Sequence, residues 1–204
     1  MNKVITIGRE HGSGGRAVGT IIAEKLGIEC YDTRIITEAA KRSGINEKLF
    51  HAYNERSTDS LLYSLAMSVK VVPGISWEDQ NRSLPEQICK AQFEVIKEFA
   101  QKPCVIVGRC ADYILDDTIS KCRVFIRAEK ADRIARIMET YQVSAKDAEH
   151  MISRTDKERS SYYHFYTNQR WSDCRNYDLC LSTSGISIQD AADLIINYME
   201  KKSC

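Results

Sequence analysis

The apolar run VITI at residues 4–7 is followed by the glycine-rich GREHGSGGR at 8–16 and by AVGTIIAEKLG at 17–27. A short continuous apolar run is what a strand buried on both faces of a parallel sheet requires. Val18, Ile21, Ile22 and Leu26 then recur at helical spacing, and Gly27 ends that helix. A strand passed to a helix through glycines makes a phosphate cradle. Glycines 12, 14 and 15 allow positive φ and close backbone approach, and the helix starting near Gly15 directs free N–H groups and its positive dipole end into the loop. The expected phosphate-binding residues are Gly8, Arg9, Gly12, Ser13, Gly14, Gly15 and Arg16; the plainer alternative is an ordinary strand-to-helix turn. The familiar pattern G-x-x-x-x-G-K-[ST] ends in a lysine and a hydroxyl, whereas Gly15 and Arg16 hold those places here.

Further apolar runs read as strands at ECYD (29–32), CVIVG (104–108), CRVFI (122–126) and YDLCLS (177–182). Helical periods lie between and after them: Leu84, Ile88, Ala91, Val95 and Phe99; Ile134, Ala135 and Met138; Ile188, Ala191, Ala192, Ile195 and Met199. Strands alternating with helices imply right-handed crossovers and a parallel sheet covered on both faces, the α/β class. Residues 33–103 exceed one crossover helix and predict two or three helices over one edge, broken at Pro73-Gly74. Ligands of such sheets sit beyond the carboxyl ends of the strands.

A chain of 204 residues suits one domain. Lys+Arg at 29 against Asp+Glu at 28 leaves no overall charge to attract nucleic acid or an anionic membrane. The eight cysteines have no C-x-x-C pair and no histidine at zinc-ligand spacing, so reduced, buried thiols and a cytoplasmic location are expected. There is no signal-peptide core and no apolar run of membrane-spanning length.

Three more constellations fall at strand ends or beside them. Asp32 and Thr33 follow the short second strand, where either contacts a ligand or caps the next helix. Arg109 follows the run CVIVG, placed for a bidentate phosphate or carboxylate contact or for a salt bridge within the protein. In ISRTDKERSSYYHFY (152–166), after a capped start at Ser144 and Asp147, Arg154, Glu158 and Ser161 share one helix face and Asp156, Arg159 and Tyr163 a neighbouring one. A solvated helix laced by i,i+4 pairs is the alternative there.

ITIGREHGSGGRAVGTIIAEKLG, YD, VIVGR, VFIRAEKADRIARIM, the R-x-x-x-E segment and YDLCLSTSGISIQDA resemble, in this order, cytidylate kinase and its nucleoside monophosphate kinase relatives. The S-G-G-R loop ending, the pair Tyr162-Tyr163, Trp171-Ser172-Asp173 and Asn176 to Leu181 resemble the bacterial cytidylate kinase-like family more closely still. The resemblance implies a single P-loop kinase-like domain over 1–204 with a helical acceptor-side insertion at about 33–103 and a lid at about 144–170. It implies ATP and Mg2+ as cofactors and phosphoryl transfer to a small acceptor, a pyrimidine nucleoside monophosphate such as CMP first. Thr33 and Arg109 match acceptor positions, with Asp32 and Glu158 as further candidates; Arg16, Arg154 and Arg159 are the candidate catalytic cations. The sequence departs from the resembled pattern at Gly15 for the loop lysine, Arg16 for its hydroxyl neighbour, Glu38 for an acceptor-site arginine and Val107 for an acidic residue. A nucleotide-binding regulator or sensor that has lost turnover, or a kinase of another small metabolite, are the other readings. The partners expected are small nucleotides, with no nucleic acid and no membrane.

Overall fold

The computed structural model describes residues 4–54, 83–115 and 117–202. Its centre is the apolar run that opens the chain: β1 (Val4–Arg9) pairs in parallel with β3 (Cys104–Val107) on one side and β4 (Lys121–Arg127) on the other. β2 (Glu29–Tyr31) and β5 (Leu179–Ser182) complete a five-stranded, all-parallel sheet of order β2-β3-β1-β4-β5. Strand alternation divides the core into two layers. Ile5, Ile7, Val105 and Val107 face α1 (Gly15–Leu26) and the last helix, where Val18, Ile22, Ala191, Ala192 and Ile195 are buried. Val4, Cys104 and Ile106 face the other way, onto α2 (Arg34–Ser43) and α4 (Leu84–Phe99).

α3 (Glu47–Asn54) extends that second layer with Phe50, and the four-residue α5 (Ala111–Ile114) follows β3. After β4 come α6 (Lys130–Tyr141) and the 23-residue α7 (Ala145–Thr167); α8 (Ile188–Lys201) closes the chain. Ile137, Ala148 and Ile152 form a small separate core between α6 and α7.

Several expectations are met in detail. α4 buries Leu84, Ile88, Ala91 and Val95, α8 buries Ala191, Ala192, Ile195 and Met199 with Ile188 half-buried, and the Ser144 hydroxyl accepts the Asp147 N–H at the start of α7. α2, α3 and α4 supply the expected helices between 33 and 103; Pro73-Gly74 lies outside the described residues. Other expectations need correction. α6 turns Arg133 and Ile137 inward and leaves Met138 exposed, because its inner face meets the glycine loop rather than apolar sheet. β5 starts two residues late, since Asp178 is taken up by Arg123 and Lys202. Among the described cysteines, Cys174 and Cys180 are exposed rather than buried. No helix among the described residues is long and apolar enough to cross a membrane.

Candidate active site

α1 begins at Gly15, with Gly14 as a left-handed N-cap and Val18 N–H donating to Gly14 O, so the N–H groups of residues 15–17 precede the first helical bond. Protein packs closely around the loop. A Cβ at Gly12 would stand 2.8 Å from Arg133 O, one at Gly14 2.5 Å from Ile188 Cδ1, and one at Gly15 2.5 Å from Arg9 Cβ. Two arginines of α6 fasten the loop from outside. Arg133 donates to His11 O and pairs with Glu10 and Asp156, and Arg136 donates to Gly12 O and Thr183. His11 N–H donates to Asp156 Oδ1 at 2.8 Å, which docks α7 on the loop. The His11 imidazole is held low, at about 4, by burial first and then by Arg159.

These groups do not form a protein-held magnesium site. Ser13, the loop's one hydroxyl, is buried and donates to Glu10 O, while the carboxylates of Glu10, Asp32 and Asp156 are each paired with arginine. Among the described residues no group of three His, Cys, Asp or Glu side chains converges on a metal position.

Beyond β3 the chain makes a sharp turn through three successive left-handed residues, Gly108 (φ 80°), Arg109 (φ 61°) and Cys110 (φ 53°). The two non-glycine residues cost about 1–2 kcal/mol each, and such strain persists where a site needs the geometry. It places Arg109 in the lining of a cavity of about 430 Å³, together with Arg9, Arg159, Arg154 and Glu158, within the size range of small-ligand sites. Arg159 donates to Arg9 O at 2.9 Å. Burial pushes the Arg9 guanidinium down to about 9, with Arg159 next in effect and Asp32 opposing them; Arg159 is pushed down too, mainly by burial. Asp32 lies 3.6 Å from Arg9 and 3.3 Å from Arg16. Arg109 has no hydrogen-bond or ion-pair partner among the described residues.

The lining includes a buried carboxyl. Asp112 accepts a 2.7 Å hydrogen bond from Tyr163, and burial raises the pKa of both groups. Trp171 and Tyr177 give one side of the lining aromatic character, the Tyr177 hydroxyl donating to Trp171 O, and Phe125 backs them, edge-on to Trp171 and against Tyr177. Gly8 lies against this side, where a Cβ would come within 2.9 Å of Phe125.

Of the residues singled out from sequence, the cavity gathers Gly8, Arg9, Arg109, Arg154, Glu158 and Arg159. Arg16 is not in its lining; its side chain is 70% exposed and turned to Asp32. Thr33 precedes α2 but its side chain makes no capping bond, and Asp32 serves as counter-ion to two arginines instead of as a cap. The i,i+4 pair Arg154–Glu158 is formed at 2.9 Å, so a solvated-helix feature and a cavity edge coincide. Sequence reasoning missed Arg133, Arg136, His11 and Asp112. Charges on a helix and an acid after a strand read as surface, and only the D-R-I-A-R clustering in α6 was a usable signal.

The family model described as the cytidylate kinase-like family matches residues 4–185. The structure is similar to that of an uncharacterized protein from Eubacterium ventriosum, at 30% identity and a TM-score of 0.70 over 98% of this chain and 99% of that one. It is also similar to shikimate kinases from Bacteroides thetaiotaomicron (12% identity, TM-score 0.54, 97% and 98% covered) and Acinetobacter baumannii (14%, 0.51, 98% and 95%); at that identity the likeness is one of fold. No curated protein matches the sequence.

Proposed function

This chain belongs to the cytidylate kinase-like family, and from that premise we propose that it transfers a phosphoryl group from ATP, supplied with Mg2+, to a small anionic acceptor, first among them a pyrimidine nucleoside monophosphate such as CMP. The observation that carries the reading is the meeting of Arg9, Arg109 and Arg159 in one cavity at the carboxyl ends of β1 and β3, with Arg109 lacking a carboxylate among the described residues. Arg9 has Asp32 beside it and Asp112 and Glu158 line the same cavity, but the cavity's four arginines exceed these carboxylates and favour an anion; phosphoryl transfer asks a protein chiefly for positioning and for positive charge on phosphate oxygens. The triphosphate lies along the loop at the start of α1, the acceptor's anionic group at Arg109, and Arg159 with Arg154 on the side of α7.

The test is ADP formation from ATP–Mg over a long time course, with each common nucleoside monophosphate and with shikimate as acceptor. Turnover with a monophosphate is the expected result. Turnover with shikimate alone reassigns the acceptor, and ATP binding without turnover on any acceptor makes the protein a nucleotide sensor, the role that the missing lysine favours.

A further inference from the structure

Gly15 stands where the glycine-loop pattern carries its lysine, and the structure fills the vacated volume with another residue of the loop. Arg9, the last residue of β1, runs its stem over the first residue of α1: a Cβ on Gly15 would lie 2.5 Å from Arg9 Cβ and 3.0 Å from its Cγ. The guanidinium ends against the turn after β3, where a Cβ on Gly108 would fall on Arg9 Nη1. The arginine thus crosses from the loop to the cavity along the path that a side chain at position 15 would begin. Its companions fix it there. Asp32 pairs with its outer edge, and its backbone carbonyl accepts from Arg159. Arg16 meets the same Asp32 carboxylate from the solvent side, 70% exposed and outside the cavity lining.

We infer that Arg9 is the cation that this loop brings to the phosphates of the nucleotide, in place of a lysine at position 15, and that Gly15 is glycine because Arg9 lies across it. The inference rests on the phosphoryl-transfer reading and adds to it which residue carries the charge. Gly15 and Arg9 then form an exclusive pair. A side chain at 15 and an arginine at 9 compete for one volume, both close to the backbone where neither can yield. The planar fork of Arg9 spans two oxygens, as a lysine does not.

The experiment uses the full chain in five forms besides the wild type: Arg9→Ala, Arg9→Gln, Arg16→Ala, Gly15→Lys, and Arg9→Ala combined with Gly15→Lys. ATP affinity with Mg2+ is measured by calorimetry and stability by thermal unfolding. Both Arg9 single variants should bind ATP about 10- to 100-fold more weakly, the range for hydrogen bonds to a charged group. Gly15→Lys alone should melt below the wild type, and the double variant should regain both the melting temperature and most of the ATP affinity. If the wild type binds ATP and both Arg9 variants bind equally well, Arg9 is not the cation. If Arg16→Ala loses affinity in their stead, the role belongs to Arg16. A double variant that folds like the wild type yet stays as weak as Arg9→Ala overturns the substitution of one cation for the other. A wild type that binds no ATP removes the phosphoryl-transfer reading, and this inference with it.

Discussion

Arg109 combines two properties rarely held by one residue, a left-handed backbone and a guanidinium with no ion-pair partner among the described residues. Removing it should therefore leave the fold alone and injure only ligand contact. Arg109→Ala should raise the acceptor's KM, keep ATP affinity near that of the wild type and keep the melting temperature. Arg109→Gly should lose the acceptor equally while being at least as stable, since relief of about 1–2 kcal/mol of backbone strain outweighs the roughly 0.5–1 kcal/mol that glycine costs in chain entropy. A cooperative loss of stability in Arg109→Ala would make it a structural ion-pair partner instead. His11 gives a prediction in pH. Its folded pKa, about 4, lies below the ordinary histidine value, so between the two the unfolded chain binds more protons. Its contribution to stability is present above the unfolded pKa of about 6.5 and is lost as pH falls toward 4. Urea unfolding across that window should show a smaller fall in stability for His11→Asn than for the wild type.

At the scale of elements, α7 is docked as well as capped. Tyr163 reaches from its inner face to Asp112 in α5, and the rings of Tyr162 and Tyr166 meet at a tilt, with Phe93 of α4 edge-on to Tyr166. Tyr163→Phe keeps the packing and removes one hydroxyl, leaving a buried carboxyl short of its partner. Denaturant unfolding should show a loss of about 1–3 kcal/mol; an unchanged midpoint would mean that Asp112 finds a replacement partner. The aromatic role of this helix was legible in the sequence because three tyrosines recur within one turn and a half. The strands were legible too, since β-branched runs such as CVIV have no other use in a parallel sheet. The inner face of α6 was not. Its apolar residues suggested a stripe through Met138, but the surface it covers is a polar loop backbone, and Arg133 and Arg136 satisfy loop carbonyls that no apolar residue can. Periodicity tells which residues meet hydrocarbon. It is silent where the buried partner is a peptide group.

Over the whole molecule, the sheet and its two apolar layers fix the strand ends, and a set of arginines ties the polar parts onto them. Why Arg9 lies across Gly15 could not be read from sequence, because it depends on β1 and β3 being neighbours, which the order of elements along the chain does not specify. The same holds for Arg133, where loop, α6 and α7 meet: its side chain is almost fully buried, and its three nitrogens serve His11 O, Glu10 and Asp156. Removing it would take the shared cation from two partly buried carboxylates, Glu10 and Asp156, and would leave the loop tied to α7 only through Arg159 and the His11 amide. A broken buried pair of this kind costs about 3–5 kcal/mol, so Arg133→Ala should lower the unfolding midpoint strongly while the isolated apolar layers are untouched. Arg133→Lys restores the charge but not the fork, and one ammonium cannot keep all three contacts in their directions. It should recover only part of the loss, and hydrogen exchange should rise at the His11 amide, which is bonded to Asp156, before it rises in β1. If Arg133→Ala unfolds like the wild type, the three contacts are replaceable by water, and α7 is held to the loop by Arg159 and the His11 amide alone.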